Sequence, residues 1–143
     1  FDGAVMALDA AHHILSSDQA YISMAHEVDK VITFERGNLL WIFNWHCYKS
    51  FVDYRVGVNV PGTYRIALNS DAPYFCGHGR VDEQVSIYHT QPGPWCNRAH
   101  YLSVYIPCRT ALVLCRINPD LDRDNSSNDD QKMENSCLVH PRQ

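Results

Sequence analysis

Two periodicities divide the chain. Over residues 1–15, FDGAVMALDAAHHIL, apolar positions recur at three- and four-residue intervals. Phe1, Val5, Leu8 and Ala11 or His12 share one helical face, widened by Ala4 and Leu15. Alanine dominates and only Gly3 is a poor helix former, so the spacing predicts a helix that ends in the turn chemistry of Ser16-Ser17-Asp18. A lone helix of this length is not stable in water, so its stripe must rest on the remainder of the chain or on a missing neighbour. From residue 19 the pattern shortens to β-like runs near 20–23, 29–35, 39–45, 52–57, 63–69, 85–90, 101–106 and 110–117. Gly37-Asn38, Pro61-Gly62, Asp71-Ala72-Pro73, Gln91-Pro92-Gly93-Pro94 and Pro107-Cys108 punctuate them. Eight short strands with no helix between them predict a mainly β fold, an antiparallel sandwich or barrel, preceded by one short helix.

Leu39-Leu40-Trp41-Ile42-Phe43 is apolar on both alternating faces, the pattern of a central strand covered on two sides. Val31 to Phe34 leads into it through Gly37-Asn38, which predicts a hairpin. The next two runs restrict each other. A two-residue Pro61-Gly62 turn would set Val56 against Ala67 and mix the faces. A loop from Asn59 to Thr63 instead sets Val58 on Tyr64, Val56 on Ile66 and Tyr54 on Leu68; otherwise the two strands belong to different sheets. After Ile117 the aromatics vanish and NPDLDRDNSSNDDQKMENS is acidic and polar, so 118–143 reads as a flexible tail.

The 143 residues suffice for about one domain, with 45% hydrophobic and 20% charged residues. A formal net charge of −4 and scattered basic residues argue against nucleic acid or an anionic membrane surface. No apolar run approaches the ~20 residues of a membrane span. The start, Phe1-Asp2-Gly3, has no basic region of a signal peptide, and the chain reads as a piece of something longer. None of the six cysteines forms a C-x-x-C pair, and Cys108 and Cys115 fall in apolar strand-like runs, so the thiols read as reduced and structural.

Chemistry is thin. His46 and Cys47 are adjacent, and neighbours on a strand point to opposite faces, so they cannot act as a couple; His46 reads as a strand-end cap. His78 and His89 lack a third metal ligand, and no metal or other cofactor is expected. Asp53, Asp71, Asp82 and Glu83 show no pairing into a cleft, so no catalytic residue is assigned. Of the aromatics, Trp41 reads as core, while Trp95 in PGPWC and Tyr74 in APYFCGHG are the candidates for stacking on a sugar.

Taken in order, FDGAVMALDAAHHIL, YISMAHEVDKVITFERGNLLWIFNWH, KSFVDYRVGVNVPGTYRIALNSDAPYFCGHGR and LSVYIPCRTALVL resemble the carboxy-terminal region of 1,4-α-glucan (glycogen or starch) branching enzymes of the α-amylase superfamily. The resemblance covers residues 1 to about 117. It implies that residues 1–18 are the last helix of a (β/α)8 barrel otherwise missing and that 19–117 form the C-terminal all-β sandwich, while the acidic tail 118–143 falls outside it. It further implies a non-catalytic role, with the catalytic acids on the barrel. The partners would be that barrel and, for the parent, an α-glucan, in the cytoplasm or, for a starch enzyme, a plastid. The chain departs from the family at Gly3, where arginine is usual, at Met24-Ala25, which replaces a basic pair, and at Cys76 and His78 in a stretch usually richer in glycine.

Overall fold

The computed structural model describes residues 1–118; the tail reading, from residue 119 onward, lies outside them. One helix, α1 (Asp2–His12), precedes nine strands: β1 (Tyr21–His26), β2 (Val31–Arg36), β3 (Leu39–Asn44), β4 (Phe51–Val58), β5 (Thr63–Asn69), β6 (Ile87–His89), β7 (Gln91–Trp95), β8 (Arg98–Ile106) and β9 (Thr110–Arg116). They form a six-stranded sheet in the order β1-β2-β3-β9-β5-β6 and a three-stranded sheet β4-β8-β7. Every pairing is antiparallel.

β3 lies between β2 and β9, and its two faces do different work. Leu40 and Ile42 point into the sandwich, where they meet Val56, Val58, Leu102, Val104, Ile106, Leu112 and Leu114. Leu39 and Trp41 point outward, into a second cluster formed with Ile14, Leu68, Val113 and Cys115, against which Ala4, Val5 and Leu8 of α1 pack. A strand buried on both sides needs this unbroken apolar run. The Gly37-Asn38 hairpin forms with Arg36 opposite Leu39. Both turn residues have positive φ (62° and 58°), and a side chain at Gly37 would meet Ile14 at 3.0 Å. That reversal therefore requires glycine on two counts.

β4 and β5 belong to different sheets, the second of the two arrangements the register allowed. Val56 pairs with Leu102, while Ile66 pairs with Leu114. Val56, Val58, Tyr64 and Ile66 still meet, across the interior rather than along a ladder.

Three expectations are corrected. The helix ends at His12, because His13 turns left-handed (φ 52°) and the Leu15 N–H is taken by Asp9 Oδ1 at 2.8 Å. The stretch Gln91-Pro92-Gly93-Pro94, read as a turn, belongs to a ninth strand. β7 is an edge strand, where prolines are tolerated, and its register with β8 breaks between Pro92 and Trp95. Cys108 lies in the β8–β9 turn rather than in a strand, although it is buried; the five described cysteines are all free.

Candidate functional site

The stretch after β3 is organised by Asn44, which is 1% exposed. Its amide nitrogen donates to the carbonyls of Lys49 (3.0 Å) and Ile106 (3.1 Å), and its oxygen accepts the His46 N–H (3.0 Å). One buried side chain thus ties the end of β3 to β8 of the opposite sheet. His46 Nδ1 accepts the N–H groups of Lys49 (3.1 Å) and Tyr48 (3.4 Å), so the ring closes a tight turn. Cys47 is exposed beside it. The geometry fits a histidine cap and offers no nucleophile–base couple at this pair.

The loop after β5 is built on Asp71, buried at 2% exposure. Its carboxylate accepts the N–H groups of His78 (3.2 Å) and Arg80 (2.8 Å) and is gripped by Arg80 Nη2 (2.8 Å) and Nε (3.1 Å). Burial pushes this carboxyl up, but the Arg80 side chain and the two backbone N–H groups outweigh it and hold Asp71 below its ordinary value. Arg80 reaches on to Cys108, touching Sγ at 3.3 Å and the carbonyl at 3.0 Å. Gly77 lies so close to the Asp71 backbone that a Cβ there would overlap it. The acid is consumed by structure.

Of the other three candidate acids, Asp82 and Glu83 are bonded locally. Asp53 sits at a bulge with φ 53°, Asp82 caps the Gln84 N–H at 3.0 Å, and Glu83 accepts the Tyr74 hydroxyl at 3.0 Å. His89 bonds Thr63 Oγ1 at 3.1 Å, and His78 approaches Asp71 at 3.8 Å. Among the described residues no three His, Cys, Asp or Glu side chains converge as metal ligands.

The aromatics occupy three separate surfaces. On the outer face of the six-stranded sheet, Phe34, Trp41, Phe43 and Trp45 stack in a near-parallel ladder with centroids 5.6–6.5 Å apart. Trp41 is core, while Trp45 at the open end is 63% exposed. Hollows of about 300 Å³, beside Ile32 and Lys30, and about 420 Å³, beside Phe1 and Ala111, flank its indole. Tyr74 is 67% exposed and leans on Phe75, which meets Phe1 of the helix edge to face. Trp95 is 37% exposed on the far side of the sandwich, its Nε1–H donating to the Arg55 carbonyl at 3.1 Å. Trp95 and Tyr74, singled out together from sequence, therefore do not share a face. Arg55 and Tyr101, which do neighbour Trp95, were missed, because only the β4–β8 register brings them together.

The fold defines an antiparallel two-sheet domain whose larger sheet carries a helix on its outer face, with Asp71, Asp82 and Glu83 committed to its loops. Residues 21–116 match the family described as Alpha amylase, C-terminal all-beta domain, and the chain belongs to that family. It is 54% identical over 114 residues to a 1,4-alpha-glucan-branching enzyme of Rhizophagus irregularis, 50% over 119 residues to one of Eremothecium gossypii, and 51% over 114 residues to one of Saccharomyces cerevisiae. These alignments cover 80–83% of this chain but only 16–17% of the relatives, so the chain spans about a sixth of their length. No helix among the described residues is long and apolar enough to cross a membrane.

Proposed function

We propose that this chain is the carboxy-terminal sandwich of a 1,4-α-glucan branching enzyme, itself non-catalytic, which steadies the catalytic barrel that makes α-1,6 branches. The supporting observation is the outer face of the six-stranded sheet. α1 covers only part of it, and the helix lies outside the matched span 21–116. Residues 1–18 then read as the last barrel helix, docked on the sandwich. Trp45 and Ile32 on the sheet, with Met6 and Leu15 on and after the helix, remain exposed and apolar. A barrel resting there would cover them, and contacts between domains commonly span about 600–1,500 Å². In this reading the catalytic acids belong to the barrel, the substrate is glycogen or starch, and the enzyme works in the cytosol or in a plastid.

The test has two arms. The chain incubated with amylose should produce no α-1,6 linkages on debranching analysis. Residues 1–117 exchanged for the matching segment of the Saccharomyces cerevisiae relative should yield a soluble hybrid that still branches. Branching by the chain alone, or a folded but inactive hybrid, overturns the proposal. A second reading, that the sandwich also contacts glucan through Trp95 or Tyr74, is favoured by their exposure and by the rigid seating of Trp95.

A further inference from the structure

We propose that Trp95, Arg55 and Tyr101 form a preassembled stacking platform for an α-1,4-linked glucan chain on the free face of the three-stranded sheet. This rests on the reading that the sandwich contacts glucan, and narrows it to one face and three side chains.

Pairing sets the placement. Val56 opposes Leu102 and Tyr54 opposes Val104 on the core side, so Arg55 and Tyr101 project to the other side. The Arg55 guanidinium carbon lies 4.9 Å from the Tyr101 ring centre and 5.3 Å from that of Trp95, so one cation links two aromatic faces.

Local backbone fixes Trp95. The β7–β8 reversal is the two-residue turn Cys96-Asn97, with both residues at positive φ (49° and 59°) though neither is glycine. Pro92 and Pro94 stiffen the strand that leads into it. Gly57 on β4 lets the hairpin end lie close, since a Cβ there would stand 2.5 Å from the Trp95 carbonyl oxygen. With its Nε1–H already committed to the Arg55 carbonyl, the indole presents its ring rather than a hydrogen-bond donor. Little side-chain freedom is left to lose on binding.

The chemistry selects a neutral polyol. The exposed part of the Trp95 ring suits the C–H surface of a pyranose, and the Arg55 guanidinium held over Trp95 and Tyr101 brings N–H donors to its hydroxyls. Exposed Ser103, opposite Arg55 in the ladder, adds a hydroxyl. The chain's net charge of −4 opposes polyanions on the same surface.

The test titrates the full 143-residue chain with maltoheptaose and follows amide and indole resonances by NMR, with cellohexaose and a short single-stranded DNA as competing probes. Maltoheptaose should shift the Trp95 indole and Tyr101 signals. Trp95→Ala and Tyr101→Ser, each with a retained amide spectrum, should weaken binding about tenfold, and Tyr74→Ala should leave it unchanged. Tyr101→Ser preserves the seating of Trp95 and keeps the test open if Trp95→Ala loosens the hairpin. Maltoheptaose binding untouched by both platform variants, or equal or stronger shifts with cellohexaose or DNA, overturns the platform while leaving glucan contact elsewhere intact. No maltoheptaose shift at millimolar concentration overturns both. Either result is separate from the branching-enzyme assignment, which the hybrid enzyme tests.

Discussion

Asp71 and Arg80 hold the longest loop of the sandwich through one carboxylate. Because Asp71 is buried and Arg80 supplies most of its partners, Asp71→Asn leaves the guanidinium without its counter-charge. A loss of about 3 kcal/mol is expected in urea unfolding. The pH sign follows from the depressed carboxyl. Its stabilisation is complete above the ordinary aspartate value of about 3.9 and is lost as pH falls through the lower folded-state value. The gap between wild type and Asp71→Asn should therefore stay constant from pH 7 to about 5 and narrow below about 4. A gap that widened in acid would contradict the assignment. The same guanidinium draws the Cys108 thiol below its ordinary value against the opposing effect of burial. Little of this pairing was legible in sequence. Asp71 looked like an ordinary turn aspartate, and a partner nine residues away is brought in only by the tight path through Gly77 and Gly79.

Among the elements, β3 and β7 mark the limits of pattern reading. β3 declared itself because burial on both faces demands an apolar residue at every position from Leu39 to Phe43. β7 did not, because an edge strand with one ladder partner can carry Pro92 and Pro94 and lacks the alternation that signals a strand. The different-sheet arrangement of β4 and β5 was legible as one of two options, since register arguments exclude pairings more readily than they choose a sheet. The helix boundary moved by three residues for a local reason, the left-handed turn at His13. Gly57 tests the contact between β7 and β4. Gly57→Ala should cost about 1–3 kcal/mol in thermal or urea unfolding, since Ala Cβ and the Trp95 carbonyl cannot both keep their places. Amide shifts should concentrate on residues 91–98. An unchanged midpoint would show that the hairpin end is free to lift.

At the scale of the whole molecule, two tyrosines close the space between the sheets. The Tyr54 hydroxyl donates to Asp29 at 2.9 Å and so ties β4 to the β1–β2 turn, while Tyr64 donates to the Val60 carbonyl at 2.8 Å. Burial pushes the Tyr64 phenol up to about 12, with the Glu35 charge adding to it and Arg116 opposing. Burial and the bond to Asp29 raise Tyr54 as well. Groups raised in the folded state give stability that is whole below the ordinary phenol value near 10 and is lost as pH climbs through the folded value. Urea midpoints should thus hold to about pH 10 and fall between there and 12. Tyr64→Phe should flatten that fall.

The three tryptophans have landed in three unlike surroundings: Trp41 buried between Phe34 and Phe43, Trp45 open at the end of the larger sheet, and Trp95 braced by an arginine on the smaller one. Their ultraviolet emission is therefore a composite of three local polarities. A collisional quencher would dim Trp45 first and Trp41 last, and single-indole variants would turn the chain into separate optical gauges of the core and of the two outer sheet faces.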